Sequence, residues 1–579
     1  MSQRFHPFHI ALLIFIFAKA SAQLPILESD STIYFQAVNS VKITQNKGDL
    51  LPIKHLDQSK IAFFAKSKTP SILKTLEKYS DIQLVNQNSL KTTDFDILIV
   101  MLTGTNSKDI QMLDPFLAQA NLKTIAIVSK TKHLPKGFDA ILTIDSITTF
   151  SESIAAQTIF GGVANTQQTF RLGYAPPVVV GMDHQILEDS IQSIINFGID
   201  QGAFPGAQVL VAKNGKIIYH KAFGSPTFEN NRPLRTDDIY DMASVSKVTT
   251  ALPALMKLNG EGKFNLDAPM KTLWPDFKKT DKAELTWRSV LAHNARLQPW
   301  IPYWKNTLRK KPKRNGWRYK RRTFKSKKSR RYPTRITDNL WQHKKYRKQI
   351  FKAIKKTPLN KKPGYKYSGL AFYLFPTIVE NITGVEFEKY LKSNIYQPLG
   401  ANTLTFNPLK HFPKSRIIPT EKDTFFRMEQ IHGTVHDEGA IMMGGVNGNA
   451  GLFGTANDMA KLWQMYLNKG HYGGKQFIQS NVIEEFTKCQ YCDEGNYRGL
   501  GFDKPKIKFI AAKAGYAKDA SPATFGHSGY TGTLVWADPD NQLLFIFLSN
   551  RVYKTRKNRK LYTLDIRPRL HNAIYSAIR

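Results

Sequence analysis

Tyr240-Asp-Met-Ala-Ser-Val-Ser-Lys-Val-Thr-Thr-Ala-Leu-Pro-Ala-Leu-Met-Lys-Leu258 is the stretch on which the reading of this chain turns. Small residues lead into Ser244, and Lys247 follows three positions later. Beyond them Leu252, Leu255 and Met256 recur at helical spacing. A helix opening at Ala243 or Ser244 puts the hydroxyl at the positive end of its dipole. It also brings the Lys247 amine one turn along onto the same face. An oxygen beside an amine that can take or relay its proton is what an activated serine needs. Spacing alone does not decide the matter, because Ser71…Lys74 and Ser129…Lys132 share it and read as surface accidents. Ser244 differs from them by its company later in the chain.

At 579 residues the chain is too long for one ordinary domain. It carries 83 Lys and Arg against 45 Asp and Glu, an excess that bears on partners rather than on fold. Residues 1–22 read as a signal peptide. Arg4 and His6 precede an apolar run from Ile10 to Phe17, and Ala20-Ser21-Ala22 fits the small-x-small cleavage rule. The run is too short to span a bilayer, and no other segment reads as transmembrane. The expected location is therefore periplasmic or extracellular, without a membrane anchor. The only cysteines, Cys489 and Cys492, are expected to form a short local disulfide in that setting. A zinc site would need two more ligands at suitable spacing, and none is seen. No metal or organic cofactor is implied.

From Lys60 to Gly162 strands alternate with helices. Strands are read at Ile61–Ala65, Ile82–Val85, Phe95–Leu102, Thr124–Ser129 and Ala140–Ile144, and helices at Ser71–Tyr79, Asp109–Ala120 and Thr149–Phe160. This order implies an α/β unit with a mostly parallel sheet covered on both faces. No Gly-x-Gly-x-x-Gly loop or other phosphate cradle supports nucleotide binding. Val41-Lys-Ile-Thr-Gln-Asn46, Leu51-Pro-Ile53 and Ala155-Ala-Gln-Thr-Ile-Phe-Gly-Gly162 resemble the C-terminal α/β sandwich of family-3 glycoside hydrolases. In that family the nucleophile sits on a preceding barrel, for which this chain has no room. The resemblance then implies a stabilising, spacer or docking domain over 23–174 rather than a glycosidase.

Residues 175–183 read as a linker and 184–579 as a second domain. An amphipathic helix is expected at Gln185–Asp200, then a hairpin of Gln208–Ala212 and Lys216–His220 about Asn214-Gly215. A basic run at about 305–335 has no acidic residue and interleaves Trp317, Tyr319, Phe324 and Tyr332. It reads as a solvated insertion, with contact to polyanions as its functional alternative. Helices are expected at Leu340–Lys356, Ala371–Leu391, Asp458–Asn468, Val482–Thr487 and Arg567–Ile578. A second hairpin joins Gly532–Ala537 to Leu543–Ser549. Hairpins at both ends of the region make one antiparallel sheet, and the helical middle becomes an all-α subdomain. The cleft between the two is a natural site.

Two further motifs fit that layout. Pro363-Gly-Tyr-Lys-Tyr-Ser-Gly369 precedes a helix, and His527-Ser-Gly529 opens the final hairpin with Tyr530-Thr-Gly-Thr533 next. Here the chain resembles the serine β-lactamase and penicillin-binding-protein superfamily, in its branch of class C β-lactamases, D-Ala-D-Ala carboxypeptidases and esterases. Members carry Ser-x-x-Lys, Tyr-x-Asn and Lys-Thr-Gly or His-x-Gly in this order. Gln397-Pro-Leu-Gly400 and Gly448-Asn-Ala-Gly-Leu-Phe453 with Asp458 match further segments of the family. The resemblance spans Asp183 to Arg579 and implies roles. Ser244 attacks a carbonyl to form an acyl-enzyme, Lys247 assists it, and Tyr367 is the base or proton shuttle. The N–H groups of Ser244 and Tyr530 form the oxyanion hole. His527, with Ser528, Gly529 and Tyr530, lines the substrate side, and His527 is expected to hold a substrate carboxylate or assist proton transfer. Unlike lysine, it changes charge near neutral pH.

Gly369 stands where the family has asparagine, a residue that commonly contacts the substrate's amide side chain. This departs from β-lactam hydrolysis and from strict D-Ala-D-Ala specificity. In Leu291-Ala-His-Asn-Ala-Arg-Leu297 the residue noted as within reach of the cleft is Arg296. The chain therefore reads as an exported serine hydrolase acting on small-molecule or peptidoglycan-derived esters or amides in cell-wall metabolism. A catalytically weak envelope-binding module is the alternative.

Overall fold

Two six-stranded sheets organise the protein. The computed structural model describes residues 30–579, apart from 67–69, 103–109, 130–132, 164–170, 231, 311–316 and 507–514. The leader read at 1–22 lies outside the described residues.

The first sheet runs Val41–Asn46, Ala140–Ile144, Lys123–Ser129, Ile97–Leu102, Ile61–Ala65, Ile82–Val85. Its last five strands are parallel. Ile97–Leu102 is buried along its whole length because both faces are covered. Ile99, Ile125 and Ile127 pack toward Ile154 and Phe160, while Leu98, Val100 and Val128 pack toward Leu113 and Phe116. The edge strand Val41–Asn46 is antiparallel, which the alternating pattern did not indicate. The helix expected at Asp109–Ala120 shrinks to Asp114–Leu117, and residue 109 lies outside the described residues. Pro115 lacks the N–H that a helix continuing through it would use.

The second sheet runs Phe525–Ser528, Leu534–Asp538, Leu543–Ser549, Gly206–Lys213, Lys216–Gly224, Gly173–Tyr174. It is antiparallel except for the last pair. Asn214 and Gly215 both have positive φ, 50° and 73°, as a tight two-residue hairpin requires. His184–Asp200 and Ile566–Ser576 cover one face through Leu187, Ile191, Leu570 and Ile574. Leu252–Gly260 and Ala456–Leu467 cover the other through Leu252, Leu255 and Trp463.

One expectation about the middle is corrected, the start of the helix read at Leu340–Lys356. The described part of the basic run, largely exposed as a solvated insertion is expected to be, contains short paired strands. Leu308–Lys310 pairs with Trp317–Tyr319, and Leu340–Gln342 pairs with both Phe324–Lys325 and Thr334–Thr337. Its aromatic residues anchor it: the Tyr319 and Phe324 rings lie 4.8 Å apart, and Phe324 lies 6.2 Å from Phe426. Leu340–Gln342 is thus a strand, and helix begins only at Tyr346. Cross-strand partners override the helical pattern there.

The first sheet is fastened to the second unit by polar groups. The Arg171 side chain, 4% exposed, donates to the carbonyls of Ile53, Phe160 and Lys54 at 2.6, 2.9 and 2.9 Å. Tyr174 donates from its hydroxyl to Asn457 Oδ1 at 2.6 Å. Arg171→Met keeps the bulk and leaves three carbonyls without this donor. It is expected to lower stability by on the order of 3 kcal/mol in urea unfolding, and a loss under about 1 kcal/mol would contradict this role.

His571 provides a second test. It stacks on Phe545 at 5.4 Å, accepts the Ala517 N–H at Nδ1 (2.9 Å), and is 1% exposed. Burial pushes it down to about 3, with Asp538 offsetting only part of the effect. As pH falls below the ordinary imidazole value of 6.5, the unfolded chain takes up a proton that the folded one refuses. Stability therefore falls with pH between 6.5 and about 3, by up to about 1.4 kcal/mol per pH unit for this group. His571→Phe is expected to flatten that slope by this amount; an unchanged slope would show that His571 titrates normally when folded.

Candidate active site

The stretch around Ser244 is pinned before any helix starts. Tyr240–Asp241 pairs with Leu452–Gly454, and the Met242 N–H donates to the Leu452 carbonyl at 3.0 Å. Asp241 is 2% exposed, and its carboxylate accepts the N–H groups of Ala243 at 2.8 Å and His436 at 2.6 Å. Ala243 is held at φ 46°, a left-handed conformation that costs a residue with a Cβ. The chain turns sharply there and presents Ser244.

The helix that follows opens with a π turn over Lys247–Ala251, its Leu252 N–H reaching back to the Lys247 carbonyl. Pro253 cannot donate to Thr249. Two tyrosine hydroxyls take the carbonyls left over: Tyr396 donates to Thr249 O at 2.8 Å and Tyr466 to Val248 O at 2.9 Å. The widened turn carries Lys247.

Lys247 is 1% exposed. Its Nζ lies 2.9 Å from Ser244 Oγ and 2.9 Å from the Asn449 carbonyl. Its other neighbours are the faces of Tyr367 and Phe372, with ring centres at 5.4 and 5.5 Å. Among the described residues no carboxylate forms an ion pair with it. A buried amine in such a pocket depends on its few polar partners, and Ser244 is one of two.

The half-buried Tyr367 is also flanked by His527, ring centre at 6.0 Å, and by the Arg498 guanidinium at 5.7 Å. Arg498 is paired with Asp503. Burial would raise the Asp503 carboxyl, but Arg498, His527 and its hydrogen bonds together hold it below the usual carboxylate range. The structure thus brings Ser244, Lys247, Tyr367 and His527 together as neighbours.

His527 departs from the expectation of a charge change near neutral pH. It is 2% exposed, and burial, aided by the Arg498 and Lys247 charges and only partly offset by Asp503, pushes it down to about 4. The ring is neutral near pH 7. Nδ1 faces the Ser528 carbonyl at 2.8 Å, so Nδ1 carries the hydrogen and Nε2 is left as an acceptor. Nε2 has no partner among the described residues. An acceptor does not hold a carboxylate. Ser528 itself opens onto a cavity of about 390 Å³ that is also lined by Tyr365, Arg498, Lys504, Trp536 and Arg567.

Gly529 is required by contact: a Cβ there would lie 2.0 Å from Thr533 Oγ1. Its N–H closes the turn onto the Thr533 carbonyl at 2.7 Å. The turn bonds near Ser244 likewise use other donors, Val245 to Met242 and Ser246 to Ala243. Tyr530 is 47% exposed, with Arg551 holding its carbonyl at 2.9 Å.

One neighbour was missed. His293, 2% exposed and at φ 56°, lies 4.6 Å from the Tyr367 ring. Its carbonyl accepts the Lys366 N–H at 2.8 Å and its Nδ1 the Ser368 N–H at 3.3 Å, so it fixes the backbone on both sides of Tyr367. Burial, then the surrounding positive groups, push its pKa well below the usual imidazole value. The sequence signal for it is the stretch 291–297, in which Arg296 is turned to another partner. That side chain donates to the Asn360 carbonyl at 2.8 Å. The disulfide Cys489–Cys492 is formed, and its loop braces this segment through Asn496, which donates to the Ala292 carbonyl at 3.0 Å. Among the described residues no group of three His, Cys, Asp or Glu is arranged to hold a metal.

Comparison with known proteins shows the family. A family model described as Beta-lactamase matches residues 187–567. A protein of Salmonella enteritidis PT4 (strain P125109) named "Putative D-alanyl-D-alanine carboxypeptidase" is 32% identical over 417 residues, covering 67% of this chain and 88% of its own. One of the same name from Escherichia coli (strain K12) is 32% identical over 379 residues, covering 61% and 80%. Among solved structures, "EstCE1, a hydrolase with promiscuous acyltransferase activity" aligns with a TM-score of 0.48 at 18% identity, covering 67% of this chain and 99% of that one. The protein belongs to the β-lactamase family of serine hydrolases.

Proposed function

We propose that the protein is an exported acyl-enzyme hydrolase of the class C type that removes a terminal residue from peptidoglycan stem peptides, as a D-Ala-D-Ala carboxypeptidase does. The observation that carries the reading is the 2.9 Å approach of Lys247 Nζ to Ser244 Oγ beneath the Tyr367 ring. Ser244 Oγ attacks the carbonyl carbon while Lys247 and Tyr367 take its proton. The N–H groups of Ser244 and Tyr530 receive the negative oxygen. The C–N bond breaks, the proton passes to the leaving nitrogen, and the acyl group stays on Ser244. Water then reverses the sequence, giving its proton to the same groups and releasing the acid. His527 is buried and neutral, with Nδ1 on the Ser528 carbonyl and Nε2 shut from solvent, so it does not itself hold a substrate carboxylate. The Ser528 hydroxyl and the cations of the adjoining cavity, Arg498 and Lys504, are the better partners for a substrate carboxylate.

Names of relatives support the peptidase form of the reading over the esterase form, with β-lactam hydrolysis third. Among the described residues no helix is long and apolar enough to cross a membrane. In this reading residues 1–22 direct export, 184–579 form the hydrolase, and 175–183 link it to 23–174. That first unit, like the C-terminal sandwich of family-3 glycoside hydrolases, serves as a docking or spacer element. The cationic surface of 305–335 contacts envelope polyanions.

The test is release of D-alanine from muropeptides ending in D-Ala-D-Ala. Wild type is expected to release it, and Ser244→Ala to lower the rate by at least about 10³-fold. Turnover of small esters without D-alanine release would replace the peptidase reading with the esterase. Salt-sensitive binding of peptidoglycan without any turnover would favour a binding module.

A further inference from the structure

Gly369 is occupied from outside. A Cβ built there would lie 2.2 Å from Asn449 Oδ1 and 3.1 Å from its Cγ. The Asn449 carboxamide therefore fills the space that any side chain at 369 would enter. The two positions are 80 residues apart in sequence and cannot both carry a side chain in this arrangement.

The backbone of Asn449 is fixed to the reacting groups. Its carbonyl accepts Lys247 Nζ at 2.9 Å, and its N–H donates to Asn447 Oδ1 at 2.7 Å. Its side chain is not spoken for. Among the described residues the carboxamide makes no hydrogen bond, yet neither of its polar atoms is sealed from solvent, in contrast to the buried and partnerless Asn447 Nδ2. A carboxamide presents two donors and an acceptor in one plane. Carried by the residue whose own carbonyl holds Lys247, and set against the Tyr367-Ser-Gly369 turn, it matches the N–H and C=O of an amide on the acyl side of the scissile bond.

We propose that Asn449 is a substrate-binding residue that recognises such an amide, so that the preferred acyl donors are N-acylaminoacyl compounds rather than plain fatty acyl esters. This rests on the reading of Ser244 as the acylated residue, but not on D-alanine as the leaving group.

The experiment compares kcat/KM for the p-nitrophenyl esters of N-acetylglycine and of pentanoic acid, which share chain length and leaving group but differ in the amide. Asn449→Ala is expected to lower the value for the N-acetylglycyl ester about 10- to 100-fold and that for the pentanoyl ester less than about 3-fold. Asn449→Asp, which keeps size but loses the donors, is expected to lose the same preference. Retained pentanoyl turnover shows that each variant is folded. Gly369→Asn alone is expected to impair both substrates by collision with Asn449, and Gly369→Asn with Asn449→Gly to recover part of the amide preference. An equal loss on both esters in Asn449→Ala, or no loss on either, overturns the proposal. A wild type inert toward both esters overturns it too, and identifies the acylation reading as the part that failed.

Discussion

The amine of Lys247, shut away from water and held between Ser244 Oγ and the Asn449 carbonyl, is the constraint on which the site depends. Taking an amine into an apolar interior is unfavourable unless its hydrogens find acceptors. Here they find two oxygens and two aromatic faces, and no paired carboxylate among the described residues. Each supporting feature serves that geometry: the Asp241 brace and left-handed Ala243 turn place the serine, and the π turn closed by Tyr396 and Tyr466 places the lysine.

The first sheet takes part in the same framework from a distance. The helix Ala456–Leu467, which follows the segment holding Asn449, carries Asn457, which accepts from Tyr174 and donates to the Lys78 carbonyl at 3.0 Å. At Gly400 a Cβ would come within 2.2 Å of the Tyr79 carbonyl, so the Pro-Leu-Gly segment read as a family signature also lets the two units approach. The Lys461 side chain bonds the Gly400 carbonyl and pairs with Asp458 at 2.8 Å. Lys78, Tyr79 and Tyr174 thus meet the helix Ala456–Leu467 and the Gly400 segment directly.

Much of this was legible from local rules. Asn-Gly at 214–215, the alternation from Ile61 to Phe160 and the closing helix at Ile566–Ser576 each follow from patterns a few residues long. What was not legible depends on partners far along the chain. Leu340–Gln342 has a helical pattern but two strand partners. The π turn exists because Tyr396 and Tyr466 complete it. His527 looked like a switch near neutral pH until its burial was seen. His293 and Asn449 lie inside stretches singled out in the sequence, but their place beside Tyr367 and Gly369 comes from packing.

The most direct test of the account is the intact mass of the protein after exposure to a fluorophosphonate, for wild type and for Ser244→Ala. A single covalent adduct on wild type that is absent from the variant is the result predicted by the proposed role of Ser244, whose Oγ lies 2.9 Å from the Lys247 amine. An unlabelled wild type, under conditions that label a control serine hydrolase, or an adduct that persists in Ser244→Ala, would contradict it.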